Sequence, residues 1–284
     1  MIFRFGREID AVHLERGEVV NKVVVFGGGA MGTGVIKGLI KGKVVEPENI
    51  IVGEILPERR EFLKRELGVT PMEEAWLELS GADMAFIVVN PWQVREVTAR
   101  MKEHMGAETI VVCVASGAKL TVLGEQLGFD KKILRLMPNT LVEAGVGYNG
   151  VTYNSNVDDE DRARVEAAIE ALGPTMYISE DMFQPFASYG CAGPMWVLKL
   201  IEAMIDAGVQ SGFSREDARA MVLENVEGTA KTLKITGEHP AARVDKMTSP
   251  GGITIEGVKK LEEDGFAGTV MASVEAAVNK GNNV

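Results

Sequence analysis

The chain has 284 residues, enough for one large domain or two ordinary ones with substantial cores. Its 41 acidic and 30 basic residues give a formal net charge of -11. That charge opposes nonspecific attraction to nucleic acid or anionic lipid and points to a small-molecule partner. Two cysteines, Cys113 in an apolar run and Cys191 in a glycine-rich segment, suggest neither a disulfide framework nor a metal site, and a reducing cytoplasm is expected.

Residues 1–20 mix acidic and basic side chains and lack the apolar core of a secretory signal, so they read as an N-terminal extension. The apolar stretch from Val23 to Ile36 is too short and too rich in glycine to span a bilayer, and no membrane segment is expected.

At Val23–Phe26 a buried strand runs into Gly27, Gly28, Gly29, Ala30, Met31 and Gly32, followed by the helical spacing of Val35, Ile36, Leu39 and Ile40. Gly27, Gly29 and Gly32 stand in the register of a dinucleotide-binding turn: one glycine for the turn, one for backbone approach to a pyrophosphate, one for close packing of helix on strand. The phosphates then meet the N-terminus of the helix at Ala30 and Met31, where free N–H groups and the helix dipole favour negative charge. The second strand, Asn49 to Val52, leads to Glu54, about 20 residues past the glycines, where a carboxylate pairs with the ribose 2′-hydroxyl of NAD. NADH is therefore the expected cofactor. NADPH is the alternative if Arg59 or Arg60, one turn into the next helix, serves a 2′-phosphate.

Further strands are expected at Met84–Val89, Ile110–Val114 and Ile133–Met137. Helices are expected at Pro57–Leu67, Met72–Leu79 and Gln93–His104. This alternation predicts parallel pairing through right-handed crossovers, completed by Val151–Tyr153, an acidic helix at 158–172 and Thr175–Ile178. From 181 onward helical periodicity replaces it. An apolar helix is expected over Pro194–Gly208 with Leu198, Ile201 and Ile205 on one face. Ser214 is the predicted N-cap, with Asp217 in the third position, of a helix reaching Thr236, and two more follow at 253–263 and 268–280. The fold class is thus an α/β Rossmann-type doubly wound sheet over 21–180, followed by an all-helical domain over 181–284.

The helical half carries a second constellation, His239-Pro240 and then Asp245 to Ile255, with Ser249, Pro250, Gly251 and Gly252 ahead of a helix start. Adjacent glycines there expose N–H groups in a nest suited to a carboxylate, although a simple capped turn has the same residues.

The run HPAARVDKMTSPGGITIEGVKKLEEDG, from His239 to Gly265, resembles the signature region of the pyrroline-5-carboxylate reductase family. Met137-Pro138-Asn139-Thr140 is similar to its MPNT motif, and Ala203 with Asp206–Val209 resembles its dimer-helix segment. The resemblance spans about residues 22–281. It implies a C-terminal helical domain that interlocks with a second chain, giving a dimer or a higher homo-oligomer. It also implies hydride transfer from a nicotinamide cofactor to a cyclic imine carrying a carboxylate, with 1-pyrroline-5-carboxylate going to proline. Carried over by motif, Gly27, Gly29 and Gly32 hold the pyrophosphate, and Met137, Pro138 and Asn139 border the nicotinamide. Ser249, Gly251 and Gly252 receive the substrate carboxylate, and Thr254 meets the ring nitrogen as the catalytic residue.

The chain also departs from the family. Cys191, Ala192, Gly193, Pro194, Met195 and Trp196 stand where GSGPAY is usual. Asn90-Pro91, then Trp92, replaces a Lys-Pro beside the cofactor, leaving Asn90 as the cofactor-side residue. Two alternatives therefore stay open: a paralogue reducing another imine or a carbonyl, and a non-catalytic nucleotide sensor.

Overall fold

The computed structural model describes residues 20–139, 141 and 147–282. The N-terminal extension before Val20, His13 and Thr140 lie outside the described residues.

In chain order the first elements are β1 (Val23–Phe26), α1 (Ala30–Lys41), β2 (Ile50–Gly53), α2 (Pro57–Leu67), β3 (Thr70–Met72) and β4 (Met84–Ile87). Then come α3 (Val94–His104), β5 (Ile110–Cys113), α4 (Leu120–Leu127), β6 (Lys132–Pro138), β7 (Asn149–Tyr153), α5 (Asp159–Glu170) and β8 (Thr175–Tyr177). Among the described residues they form an eight-stranded sheet in the order β3-β2-β1-β4-β5-β6-β7-β8. The strand order reverses between β1 and β4, the place where open α/β sheets bind ligands at their carboxyl ends.

The central strands are buried on both faces, as parallel sheets covered by helices require. Val23 and Val25 pack with Val35, Ile36, Leu39 and Leu63 on one side. Val24 and Phe26 face the other, with Val94, Met101, Leu123 and Leu127. The period of two along β1 therefore feeds two separate cores.

Two sequence expectations need correction. Of the helix expected over Met72–Leu79, Met72 is the last residue of the edge strand β3 and only Ala75–Glu78 turn helically, as a short 3₁₀ segment. Pro71 lies within that strand, and prolines within sheets are confined to edges, bulges and strand starts. Parallel pairing also fails at one seam, since β7 runs antiparallel to β6. Residues 139–148 leave too little chain for a helical crossover, and a short connection returns a strand antiparallel.

The chain divides into two compact units, the first running through Cys191 and the second starting at Ala192. The segment after β8 packs with the first unit, through a 3₁₀ turn at Glu180–Met182, a short helix α6 (Phe183–Phe186) and a π-turn at Ala187–Cys191. Arg135 fastens it. The buried guanidinium stacks 4.1 Å over the Phe183 ring. It also donates to Glu180 Oε1 at 3.0 Å, and that oxygen accepts the first N–H of α4 from Leu120 at 2.6 Å.

The second unit is all helical: α7 (Gly193–Gln210), α8 (Arg215–Thr236), α9 (Pro240–Met247), α10 (Ile253–Glu263) and α11 (Phe266–Asn282). Ser214 caps α8 as expected, its Oγ accepting from Asp217 N at 3.0 Å. No residue of α7 is buried within the chain, and Leu198 is 63% exposed. No helix of the described residues is long and apolar enough to cross a membrane.

Candidate active site

The carboxyl ends of β1, β2, β4 and β6 bring the expected cofactor residues to one edge of the sheet. The three glycines of the turn after β1 divide into two kinds. Gly27 has φ 109°, and a Cβ there would sit 2.5 Å from the Val88 carbonyl oxygen; a Cβ on Gly32 would come within 1.9 Å of Gly27 O. The fold itself demands glycine at both. Gly29, the N-cap of α1, has an ordinary φ of -66° and nothing within 4 Å of a built Cβ. The space a side chain would fill is open, as a turn that receives a pyrophosphate needs. The N–H groups of Ala30, Met31 and Gly32 precede the first intrahelical bond, from Thr33 N to Gly29 O at 2.9 Å, and have no acceptor within the helix.

Glu54 follows β2, and both carboxylate oxygens are held by backbone. Oε2 accepts from Gly28 N at 3.1 Å and Oε1 from Leu56 N at 3.0 Å. Each oxygen keeps a lone pair for a hydroxyl donor. Arg60 is turned back on its own strand end, donating to the Glu54 and Ile55 carbonyls at 2.8 and 3.0 Å and lying 3.6 Å from Glu73. Arg59 instead reaches the glycine turn, with Nε 2.6 Å from Gly28 O and Nη2 2.5 Å from Thr33 Oγ1. The sequence singled out Arg59 only for its charge. Thr33 was missed altogether, although a threonine in the first turn of a dinucleotide-site helix is a readable signal.

Asn90, after β4, closes a short 3₁₀ turn on Gln93 Oε1, to which its N and Nδ2 both lie at 3.3 Å. Trp92 beside it is 77% exposed. At the end of β6, Met137 and Asn139 are buried. Asn139 Oδ1 accepts from Leu141 N at 3.1 Å, while its Nδ2 has no partner among the described residues. A buried amide donor left unpaired costs about 1–3 kcal/mol, so an acceptor supplied by a ligand would relieve it. Both this orphan donor and the open space at Gly29 fit a dinucleotide along this edge.

The other group of expected residues lies on one loop of the second unit. Gly251 has φ 70° with open space around it, and Gly252 is the N-cap of α10. Ser249, Gly251 and Thr254 are exposed, and Ile253 is 93% exposed. Ser249, the glycines and Thr254 occupy the turn leading into α10 and its first residues, where N–H groups lack intrahelical acceptors. His239 is accounted for structurally, since Nδ1 caps α9 by accepting from Ala241 N at 3.3 Å.

Neither cysteine is prepared as a nucleophile. Burial raises the Cys113 thiol to about 11 and the Cys191 thiol to about 12, so both stay protonated at neutral pH. Cys191 Sγ lies 3.5 Å from the Pro138 carbonyl oxygen, tying the π-turn to the end of β6.

Comparison with known proteins finds a match to each half of the chain. Residues 180–284 match the profile described as "Pyrroline-5-carboxylate reductase dimerisation", and residues 22–117 match "NADP oxidoreductase coenzyme F420-dependent". Pyrroline-5-carboxylate reductase of Aquifex aeolicus is 36% identical over 259 residues, covering 91% of this chain and 96% of the relative. The chain belongs to the pyrroline-5-carboxylate reductase family. The Escherichia coli member is 35% identical with the same coverage. Among solved structures, the Coxiella burnetii reductase superposes with TM-score 0.84 at 26% identity, over 93% of this chain and 98% of that one. The Plasmodium falciparum reductase, solved with NADP bound, has TM-score 0.82 at 28% identity over 92% and 96%.

Two residues that the sequence singled out as departures have local partners. Trp196 donates from Nε1 to Ser273 Oγ at 2.8 Å and so joins α7 to α11. Asn90 serves its own turn through Gln93.

Proposed function

We propose that this chain reduces 1-pyrroline-5-carboxylate to proline at the expense of a reduced nicotinamide, with NADH preferred. Two ligand-ready backbone turns support the reading: the open cradle at Gly29 in the first unit and the Ser249–Thr254 turn in the second. Relatives named for this reaction, matched over nearly their whole length, supply the substrate.

Gly27, Gly29, Ala30, Met31 and Gly32 hold the pyrophosphate, Glu54 the adenosine ribose, and Asn90, Met137, Pro138 and Asn139 border the nicotinamide. Bound there, the reduced nicotinamide supplies the hydride. Ser249, Gly251 and Gly252 receive the substrate carboxylate by hydroxyl and N–H donation at the positive end of α10. Thr254, the second residue of α10, reaches the ring nitrogen, which in the substrate is bonded to the carbon bearing that carboxylate. One helical turn therefore suffices to hold both groups. The iminium carbon is already electrophilic, so positioning and stabilisation of the changing charge at nitrogen carry the catalysis, with no strong base needed.

The deciding experiment follows reduced-nicotinamide absorbance with 1-pyrroline-5-carboxylate and identifies proline as product. Oxidation only with another imine or a carbonyl overturns the substrate. Cofactor binding without any oxidation makes the chain a sensor. For the cradle, Gly29→Ala should fold normally and raise the cofactor KM, because a methyl forced into filled space costs about 1–3 kcal/mol, or about 5- to 150-fold in affinity. An unchanged KM removes Gly29 from the pyrophosphate site.

We further expect at least a dimer formed through the helical units. Val197, Leu198, Leu200 and Met204 of α7 are all exposed within one chain, and exposed apolar side chains gathered on one helix mark an interface. Light scattering at micromolar concentration should find no monomer; a clean monomer overturns the shared core. The two free cysteines fit a reducing compartment, the cytoplasm.

A further inference from the structure

We propose that Arg59 is a positioning residue for the diphosphate that NADH and NADPH share, acting through the glycine turn and not through the 2′ position of the ribose. The proposal rests on the glycine turn being the diphosphate site.

The turn has two carbonyls that would repel phosphate if they faced it. Gly28 O accepts from Arg59 Nε at 2.6 Å. Gly29 O accepts from Thr33 Oγ1 at 2.8 Å and from Thr33 N at 2.9 Å. Arg59 Nη2 donates to that same Thr33 hydroxyl at 2.5 Å, so one guanidinium fork holds one carbonyl directly and the other through Thr33. With both carbonyls committed to Arg59 and Thr33, the N–H groups from Ala30 onward are the backbone groups left to meet an anion. The fork is itself held in place, its carbon lying 4.4 Å over the Phe62 ring one turn further along α2. Gly28 N donates to Glu54, so Gly28 is held through both its N–H and its carbonyl. A guanidinium spent on the turn in this way is not free to travel to the ribose. A lysine carries the charge but lacks the planar two-pronged donor that this geometry uses.

The test measures KM for NADH and NADPH, kcat at saturating cofactor, and the affinity for ADP-ribose, which has the diphosphate but no 2′-phosphate, in Arg59→Lys and Arg59→Met. Both substitutions should raise both KM values and weaken ADP-ribose by a common factor of about 10- to 100-fold, the worth of a charge-assisted hydrogen bond. The NADPH-to-NADH ratio and kcat should stay at wild-type values. A loss confined to NADPH overturns the proposal in favour of direct 2′-phosphate binding. No change in any constant reduces Arg59 to a support for α2. Full affinity in Arg59→Lys shows that charge alone suffices and equally overturns it. If Arg59→Met does not fold, Arg59→Lys decides. Gly29→Val is the control on the underlying reading: wild-type ADP-ribose affinity in that variant removes the turn from the diphosphate site, whereas failure at Arg59 alone leaves the turn in place.

Discussion

Thr254→Val should lower kcat on 1-pyrroline-5-carboxylate by about 10- to 1000-fold, if the hydroxyl is worth about 1.5–4 kcal/mol in the transition state. Valine keeps the β-branched shape, and the Thr254 side chain is exposed, so the helix start at α10 loses no packing by the exchange. What disappears is the hydroxyl proposed to accept the iminium N–H and to stay with the nitrogen as it becomes an amine. The KM for the cofactor should remain as in the wild type, because none of the residues proposed to hold the cofactor is altered. Unchanged turnover removes Thr254 from the mechanism. A fall in cofactor affinity without a fall in kcat assigns it to the wrong half of the chemistry.

How much of this was legible in the sequence depends on how local the determining physics is. The β1–turn–α1 unit and α8 were readable because each carries its own signals: a four-residue apolar run entering glycines in register, and Ser214 with Asp217 opening a helix. The start of α10 at Ile253 was equally local, with two glycines ahead of it. The strand β3 was not readable. Trp76 and Leu79 are spaced like a helix face, yet the chain spends Thr70–Met72 on the sheet edge beside β2, a choice made by the partner strand. The helix α9 was overlooked despite a usable signal, His239 before Pro240 at its first turn.

The site divided along the same line. Residue types and spacing picked out Gly27, Gly29, Gly32 and Glu54, because a glycine turn between strand and helix, and a carboxylate at the end of the next strand, are written locally. They did not reveal that Gly28 is held from two sides, since that depends on the direction in which α2 leaves β2. Arg59 and Arg60 are neighbours in sequence with the same charge. Their roles separate only once the helix is laid against the sheet, one reaching Gly28 and Thr33, the other the Glu54 carbonyl.

Cofactor choice brings these observations to a single measurement, and the wild-type chain should show a higher kcat/KM with NADH than with NADPH. Glu54 is fixed by the Gly28 and Leu56 amides, so its carboxylate would meet a ribose without being reorganised. A 2′-phosphate about 4 Å from it would cost about 1–4 kcal/mol depending on the effective dielectric, which is about 5- to 1000-fold in affinity. The exposed Ile55 that follows offers no compensating charge, and Arg60 is committed to backbone carbonyls and lies beside Glu73. Glu54→Ser removes the negative charge, leaves a small hydroxyl, and should move the NADPH-to-NADH ratio toward NADPH by a factor in that same range. Part of the NADH loss in the variant will come from release of Gly28 N, which both cofactors share, so the ratio and not either constant alone is the readout. A wild-type preference for NADPH, or a ratio that Glu54→Ser leaves where it was, shows that Glu54 does not read the ribose and serves only to brace the turn.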